Sequence, residues 1–270
     1  MKLNKRIACC LTIRNCADYL DKIFLNLNLL SAQFTDFYVI CVFDNCTDAT
    51  EEILLEYQRT APFKVIVFKH SNDSPYRTVR ISDARNICLQ LMNPFHVDFH
   101  FMIDADDVNI QPWNIDIIRY YLGTEDWDSL SFNRPDYYDI WALLYNNYKQ
   151  HCYAFVEYYP VVLHIKADIT SRLRVNDDKL FDCLSAFNGF AMYRTSVFNN
   201  IVYDGTYEAF KTIVTEEDRL STLQLLQHEL NKPLPINPHQ VECCEHLFYH
   251  ISAIQKNNAR IRISKQYLTL

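Results

Sequence analysis

Glycine is scarce. The 270-residue chain has three, Gly123, Gly189 and Gly205, none near another. A phosphate-binding loop or a dinucleotide fingerprint needs clustered glycines so that backbone N–H groups can approach phosphate. Both motifs are excluded, and any bound nucleotide must be held by side chains or a metal. Positive charge is sparse as well: 26 Lys and Arg against 33 Asp and Glu give a formal charge of −7, with no basic block. A nucleic-acid groove needs such a block to neutralise phosphates, so no nucleic-acid partner is expected. The ten cysteines include two adjacent pairs, Cys9-Cys10 and Cys243-Cys244, but no C-x-x-C. A zinc ribbon is therefore not expected, and the thiols read as mostly free and buried in a reducing cytoplasm. Long apolar runs are lacking too. Ile7 to Ile13, behind a basic start, ends at Arg14-Asn15; it is too short for a membrane span and has no small-residue cleavage site.

What is present is ordinary globular composition, 49% hydrophobic and 22% charged, patterned with two alternating periods. Ile7–Ile13, Phe37–Phe43, Lys64–Phe68 and Phe99–Ile103 are short apolar runs suited to buried parallel strands. Between them, Leu20, Ile23, Phe24, Leu27 and Leu30, then Ile53, Leu54 and Tyr57, then Ala84, Ile87, Cys88 and Leu91 fall at helical spacing. Strand and helix in this rhythm predict βαβ crossovers and a mostly parallel sheet with helices on both faces. Ligands of such sheets lie outside the carboxyl ends of the strands, which is where Arg14, Asn15, Asp44, Asp104 and Asp106 fall. The part from Trp127 onward is irregular and rich in aromatic residues.

The sharpest local signal is Asp104-Ala105-Asp106 at the end of the fourth run. In extended backbone, side chains two apart share a side, so both carboxylates face one point and Ala105 turns away. Two carboxylates aimed together suit a hard cation, Mg²⁺ or Mn²⁺, which completes its shell with substrate phosphates. The plainer alternative is a helix N-cap by Asp106 or Asp107.

At this point the chain resembles the GT-A class of nucleotide-sugar-dependent glycosyltransferases, whose hallmark is a D-x-D ending such a strand. Asp44-Asn45-Cys46-Thr47-Asp48 looks like the turn after their second strand, and Ala84-Arg85-Asn86 like the A-R-N before the metal strand. The segments Tyr137-Tyr138-Asp139-Ile140-Trp141-Ala142-Leu143 and Asn188-Gly189-Phe190 resemble acceptor-side segments of capsule-type and large-DNA-virus members, and Cys244-Glu245-His246…His250 their closing C-E-H-x-x-x-H. The resemblance implies a GT-A-like α/β domain over residues 1–270, with a nucleotide-sugar-binding half at 1–110 and an aromatic-rich acceptor-binding half at 111–270. It further implies metal-dependent hexosyl or related transfer, with Mn²⁺ or Mg²⁺, from a UDP- or GDP-linked donor to a glycan or glycoprotein hydroxyl. The expected location is the cytoplasm, the host's if the source is a virus.

Asp44 is then expected against the base or ribose, and Arg14, Asn15, Arg80, Arg85, Asp104 and Ala105 around the donor, with a solvated helix face as the alternative for Arg80 and a structural ion pair to an aspartate as the alternative for Arg85. Asp104 and Asp106 are the expected metal ligands, joined by His250, slightly favoured, or by His246. An inverting enzyme also needs a base for the acceptor hydroxyl. Glu245 ranks first for it and Asp218 second, since Glu216-Glu217-Asp218 also reads as the first turn of a helix. Two other readings are a haloacid-dehalogenase-like phosphatase with Asp104 as nucleophile, and a non-catalytic carbohydrate-binding module.

Overall fold

Leu3–Ile13 form strand β1, whose side chains are almost all buried from Ile7 onward. Ile7, Cys9 and Leu11 enter one apolar core while Ala8 and Cys10 enter another. Successive strand side chains point to opposite faces, so both faces of β1 are covered, as in the centre of a parallel sheet. This arrangement comes from a computed structural model that describes residues 2–146, 148–156, 158–175, 177 and 179–269.

Helix α1 (Ala17–Ser31), β2 (Phe34–Asp44), α2 (Thr50–Thr60), β3 (Lys64–His70), α3 (Arg77–Met92) and β4 (Phe99–Asp104) continue the alternation. The four apolar runs lie inside β1 to β4. Leu20, Ile23 and Leu27 of α1 and Leu54 of α2 pack on the Ile7 face, and Ala84, Cys88 and Met92 of α3 on the Ala8 face. β1 pairs in parallel with both β2 and β4, and β2 with β3. The strand order therefore reverses at β1, which opens a crevice at the carboxyl ends of β1, β2 and β4.

The remaining elements are α4 (Ile115–Leu122), β5 (Ser129–Asn133), α5 (Tyr159–Leu173), β6 (Phe181–Cys183), β7 (Phe190–Arg194), α6 (Tyr207–Phe210), α7 (Glu216–Leu230), α8 (Glu245–Asn257) and β8 (Ile261–Tyr267). One eight-stranded sheet results, in the order β3-β2-β1-β4-β7-β5-β8-β6. β7 is antiparallel to β4 and β5, β6 is antiparallel to β8, and β5 and β8 are parallel. The fold is thus the expected mixed α/β class with helices on both faces.

Most aromatics of the irregular part are core. Phe132, Tyr137, Tyr145, Tyr148, Phe155, Tyr193 and Tyr249 are all buried. All ten cysteines are free, and nine of them are buried. No helix among the described residues is long and apolar enough to cross a membrane.

Candidate active site

One cavity opens at the carboxyl ends of β1, β2 and β4, and a second adjoins it at the end of β4. The first, about 340 Å³, is lined by Arg14, Asn15, Asp44, Arg77, Arg80, Asp104, Ala105 and Asp106 among others. The second, about 290 Å³, is lined by Arg85, Tyr138, Asp139, Trp141, Tyr153, Phe187, Glu245 and His246 among others. Arg77, Ile81, Asp104 and Asp106 line both, so the D-x-D forms the wall between them.

The first cavity is shaped by two asparagines in the left-handed region, Asn15 (φ 52) after β1 and Asn45 (φ 39) after β2. They turn the chain sharply where the strands end. The Asn15 side-chain oxygen accepts the Thr47 backbone N–H at 2.8 Å, and Asp48 accepts the Ala17 N–H at 3.1 Å. The two loops are thereby tied together, and Asn15 holds the rim as well as lining it. Asp44, at 8% exposure, has one carboxylate oxygen buried without a hydrogen-bond partner among the described residues. A buried acceptor left unpaired is costly, so this oxygen is suited to a ligand's donor group. Arg14 and Arg77 are exposed at the rim, and Arg80 donates to the Ser74 carbonyl.

The D-x-D wall is held from behind. Asn109 donates to the Asp104 and Gly189 carbonyls, both at 2.8 Å. One oxygen of Asp104 accepts from Arg85 at 3.2 Å and the other meets the Tyr138 hydroxyl at 3.4 Å. Asp106 accepts the Val108 N–H at 3.3 Å and caps the 3₁₀ turn Asp107–Asn109. The capping role is therefore real and coexists with a place on the cavity wall. Burial, reinforced by the neighbouring Asp104, pushes Asp106 up to about 6. Burial also raises Asp104, against the pull of Arg85.

Arg85 is the internal cation of the site. Its side chain is 4% exposed, with Nη2 3.2 Å from Asp104 and Nε 3.1 Å from Glu245. Its guanidinium lies over the Phe187 ring, 4.6 Å from the centroid. It thus stands behind the D-x-D and reaches the second cavity, in the ion pair with an aspartate that was the alternative to a place beside the donor.

The histidines divide the other way from expectation. His250 is fully buried, with Nδ1 2.8 Å from the Ser185 hydroxyl and Nε2 3.1 Å from the Tyr193 hydroxyl. Both of its nitrogens are occupied and it lines neither cavity. His246, one helical turn earlier, lines the second cavity, stacks on Phe187 at 3.9 Å and has Nε2 3.7 Å from Glu245, but among the described residues neither ring nitrogen has a hydrogen-bond partner. Burial and the nearby Arg85 push it well below the usual histidine range, so it is neutral.

Asp218 lies in the first turn of α7 and not at either cavity. It closes a capping box with Thr215 and pairs with Lys149 at 2.6 Å. Glu245 is at the start of α8 and faces the second cavity, buried and engaged by Arg85.

Sequence reasoning missed Asp139. Its carboxylate accepts backbone N–H groups from Ala142 and Asn188, each at 3.2 Å, and it makes no ion pair among the described residues. Burial, with Asp104 nearby, pushes it up to about 7. The available signal was that it is the sole carboxylate in the Tyr137–Leu143 segment.

Among the described residues no group of three His, Cys, Asp or Glu side chains is placed to hold a metal ion. The chemistry of the wall nonetheless fits a hard cation. Two carboxylates share one face, like charge raises one of them, and the ligands still needed would be phosphate and water oxygens, which Mg²⁺ and Mn²⁺ take readily.

No protein-family profile and no curated protein matches the chain. Among solved structures it is similar to Staphylococcus aureus TarS, at 15% identity and TM-score 0.43 over 88% of this chain and 59% of that one. It is also similar to a Pyrobaculum calidifontis mannosyltransferase in complex with GDP-Man and Mn²⁺, at 14% identity and TM-score 0.47 over 87% of this chain and 55% of that one. A third similarity is to Mycobacterium tuberculosis glucosyl-3-phosphoglycerate synthase, at 12% identity and TM-score 0.42 over 73% of this chain and 60% of that one. The chain thus spans less than two thirds of the length of each of the three.

Proposed function

We propose that the protein is a GT-A-like glycosyltransferase that moves a sugar from a nucleotide-sugar donor in the first cavity to an acceptor hydroxyl in the second. The observation that carries this reading is the shared wall: Asp104, Asp106 and Arg77 border both cavities, so a diphosphate held there has its nucleoside on one side and its sugar on the other. Every residue lining the first cavity lies within 1–110, and most of those special to the second lie within 111–270, which supports that division of labour.

In this reading Asp44 accepts from the base or ribose with its unpaired oxygen. Arg14, Arg77 and Arg80 face the phosphates at the mouth, where charge-assisted hydrogen bonds are strongest. Asp104 and Asp106 would hold Mn²⁺ or Mg²⁺, which when bound supplies Lewis-acid neutralisation of the departing diphosphate.

Of the two carboxylates special to the second cavity, Glu245 is committed to Arg85 and through it fixes Asp104. Asp139, free of ion pairs among the described residues and raised to about 7, takes the proton of the acceptor hydroxyl in an inverting transfer. The role expected for Glu245 therefore passes to Asp139, and Glu245 becomes a positioning residue.

The test is a binding titration of UDP- and GDP-sugars with and without Mn²⁺, on wild type and on Asp104→Asn and Asp106→Asn. Metal-dependent donor binding lost in both variants is the expected outcome. Donor binding that ignores both the metal and the two substitutions would overturn the reading.

A further inference from the structure

At the opposite edge of the sheet, where β1 and β4 begin and β7 ends, lies a groove of about 460 Å³, larger than either cavity of the candidate active site. The length of β4, Phe99 to Asp104, puts it roughly 16 Å from the D-x-D. Lys5, Arg6 and Arg194 line it, and Asp98 is the one carboxylate among the described residues that do. In a chain of formal charge −7, that is a local reversal of sign.

Two of the cations gather at one buried ring. Phe99 pairs with Arg194 across β4 and β7, and with Ile7, two residues after Lys5, across β4 and β1. The Lys5 ammonium is 5.6 Å and the Arg194 guanidinium 5.3 Å from the Phe99 centroid. Arg194 donates from Nε to the Trp127 carbonyl at 2.8 Å and from Nη2 to the Thr124 carbonyl. It also lies 3.8 Å from Asp128, whose two oxygens are held by Arg260 at 2.9 and 3.1 Å. Asp98 is taken by Arg6, through the backbone N–H at 2.8 Å and the guanidinium at 3.7 Å. The Lys5 ammonium and Arg194 Nη1 are left without a hydrogen-bond partner among the described residues, as are the exposed side chains of Asn93, Ser196 and Asn199 beside them.

We infer that this groove is a second ligand site, for a phosphate group carried by a small molecule. Like charges gathered at one ring suit an anion that offers several acceptor oxygens at once, and hydrogen bonds from a cation to phosphate are strong. The amides and the hydroxyl add neutral donors for the remaining oxygens. An adjoining cavity of about 190 Å³ shares Met92, Asn93, Thr195 and Asn199 with the groove and is also lined by Gln90 and Asn200, which gives the rest of a phosphate ester a polar bed. The proposed sugar transfer uses none of these residues, so the site stands or falls apart from it.

The experiment is a calorimetric titration of the full chain in EDTA with two probes, pyrophosphate and glucose 1-phosphate. The expected result is saturable binding of at least one probe, weakened about tenfold in Lys5→Glu and in Ser196→Asp and weakened by added salt. Ser196 is exposed, so Ser196→Asp tests the groove even if Lys5→Glu disturbs β1, and melts of both variants check the fold. Arg80→Glu, in the first cavity, should leave this binding unchanged. Tighter binding of glucose 1-phosphate assigns the site to an ester and tighter binding of pyrophosphate to the free anion, and either upholds the inference. No binding of either probe, binding indifferent to both groove variants, or binding lost only in Arg80→Glu overturns it. Co-sedimentation with phosphatidylserine vesicles in place of binding to the probes would also overturn it, in favour of a membrane surface.

Discussion

Replacing Arg85 by Gln removes a buried cation that pairs with two carboxylates behind the D-x-D. Arg85 touches Asp104 at 3.2 Å and Glu245 at 3.1 Å, and all three side chains are largely shielded from solvent. Removing one partner of a buried ion pair leaves an uncompensated charge and costs roughly 3–5 kcal/mol, far more than the pair's net worth against an apolar replacement. For a chain of this size that is a fall in melting temperature of roughly 6–20 °C. The pH dependence has a definite sign. Asp104 is already raised by burial with Arg85 opposing, so losing Arg85 raises it further. A carboxylate raised in the folded state penalises folding in full above its folded pKa, and the penalty fades as pH falls towards the unfolded value near 4. The deficit of Arg85→Gln relative to wild type should therefore be largest at pH 7 to 8 and shrink towards pH 5. Calorimetric melts at pH 5, 6, 7 and 8 measure this directly. A variant within about 1 kcal/mol of wild type at pH 7, or a deficit that grows on acidification, would refute the electrostatic account.

Asp44→Ala should weaken binding of the nucleoside diphosphate alone about tenfold, the value of one well-placed hydrogen bond to a buried acceptor; unchanged affinity by calorimetry would confine Asp44 to shaping the turn. Asp139→Asn should lower kcat/KM about 10²-fold or more and remove an inflection near pH 7 above which wild-type activity is higher; persistence of that inflection would give the proton to another group. Gly189→Ala should cost roughly 2 kcal/mol, because Gly189 has φ +84 and an added Cβ would come 2.7 Å from the Tyr138 hydroxyl and 2.8 Å from Val108. Denaturant titration checks this, and wild-type stability would mean that Tyr138 yields freely.

The first half of the fold was legible because its strands are covered on both faces and so read as apolar runs, with amphipathic helices between them. Asp44, Asp104 and Asp106 followed from that alone, since they close those runs at one sheet edge. The antiparallel β7 was not legible. Phe190–Arg194 is a short strand reached through a loop, and an apolar run of five residues carries no sign of its direction. Asp139 was hidden for a related reason: it lies in irregular chain, where no period assigns a face. The choice between His246 and His250 turned on partners contributed by Ser185, Tyr193 and Phe187, which are distant in sequence. Spacing of four residues places two side chains on neighbouring turns of one helix face, and it cannot say which meets a hydroxyl and which meets a cavity.

The scarcity of glycine has a counterpart in the structure. Nine described non-glycine residues have positive φ, and seven are asparagine: Asn15, Asn45, Asn146, Asn188, Asn200, Asn231 and Asn258. Asparagine tolerates the left-handed region because its short amide can bond to local backbone, and here it makes turns for which glycine is the usual residue. The substitution has a chemical consequence. A side chain at each turn keeps the backbone from closing on a phosphate, so a loop of N–H groups cannot be the anion site. Asn15 spends its amide oxygen on Thr47 to join two loops, and Asn188 donates to the Phe132 carbonyl while its backbone N–H holds Asp139. In the proposed function, charge compensation for a diphosphate would fall to Arg14, Arg77 and Arg80, which line the first cavity, and to a cation on Asp104 and Asp106. Under the proposed function, a glycine-poor sequence would answer the phosphate problem with side chains and a metal in place of a backbone loop.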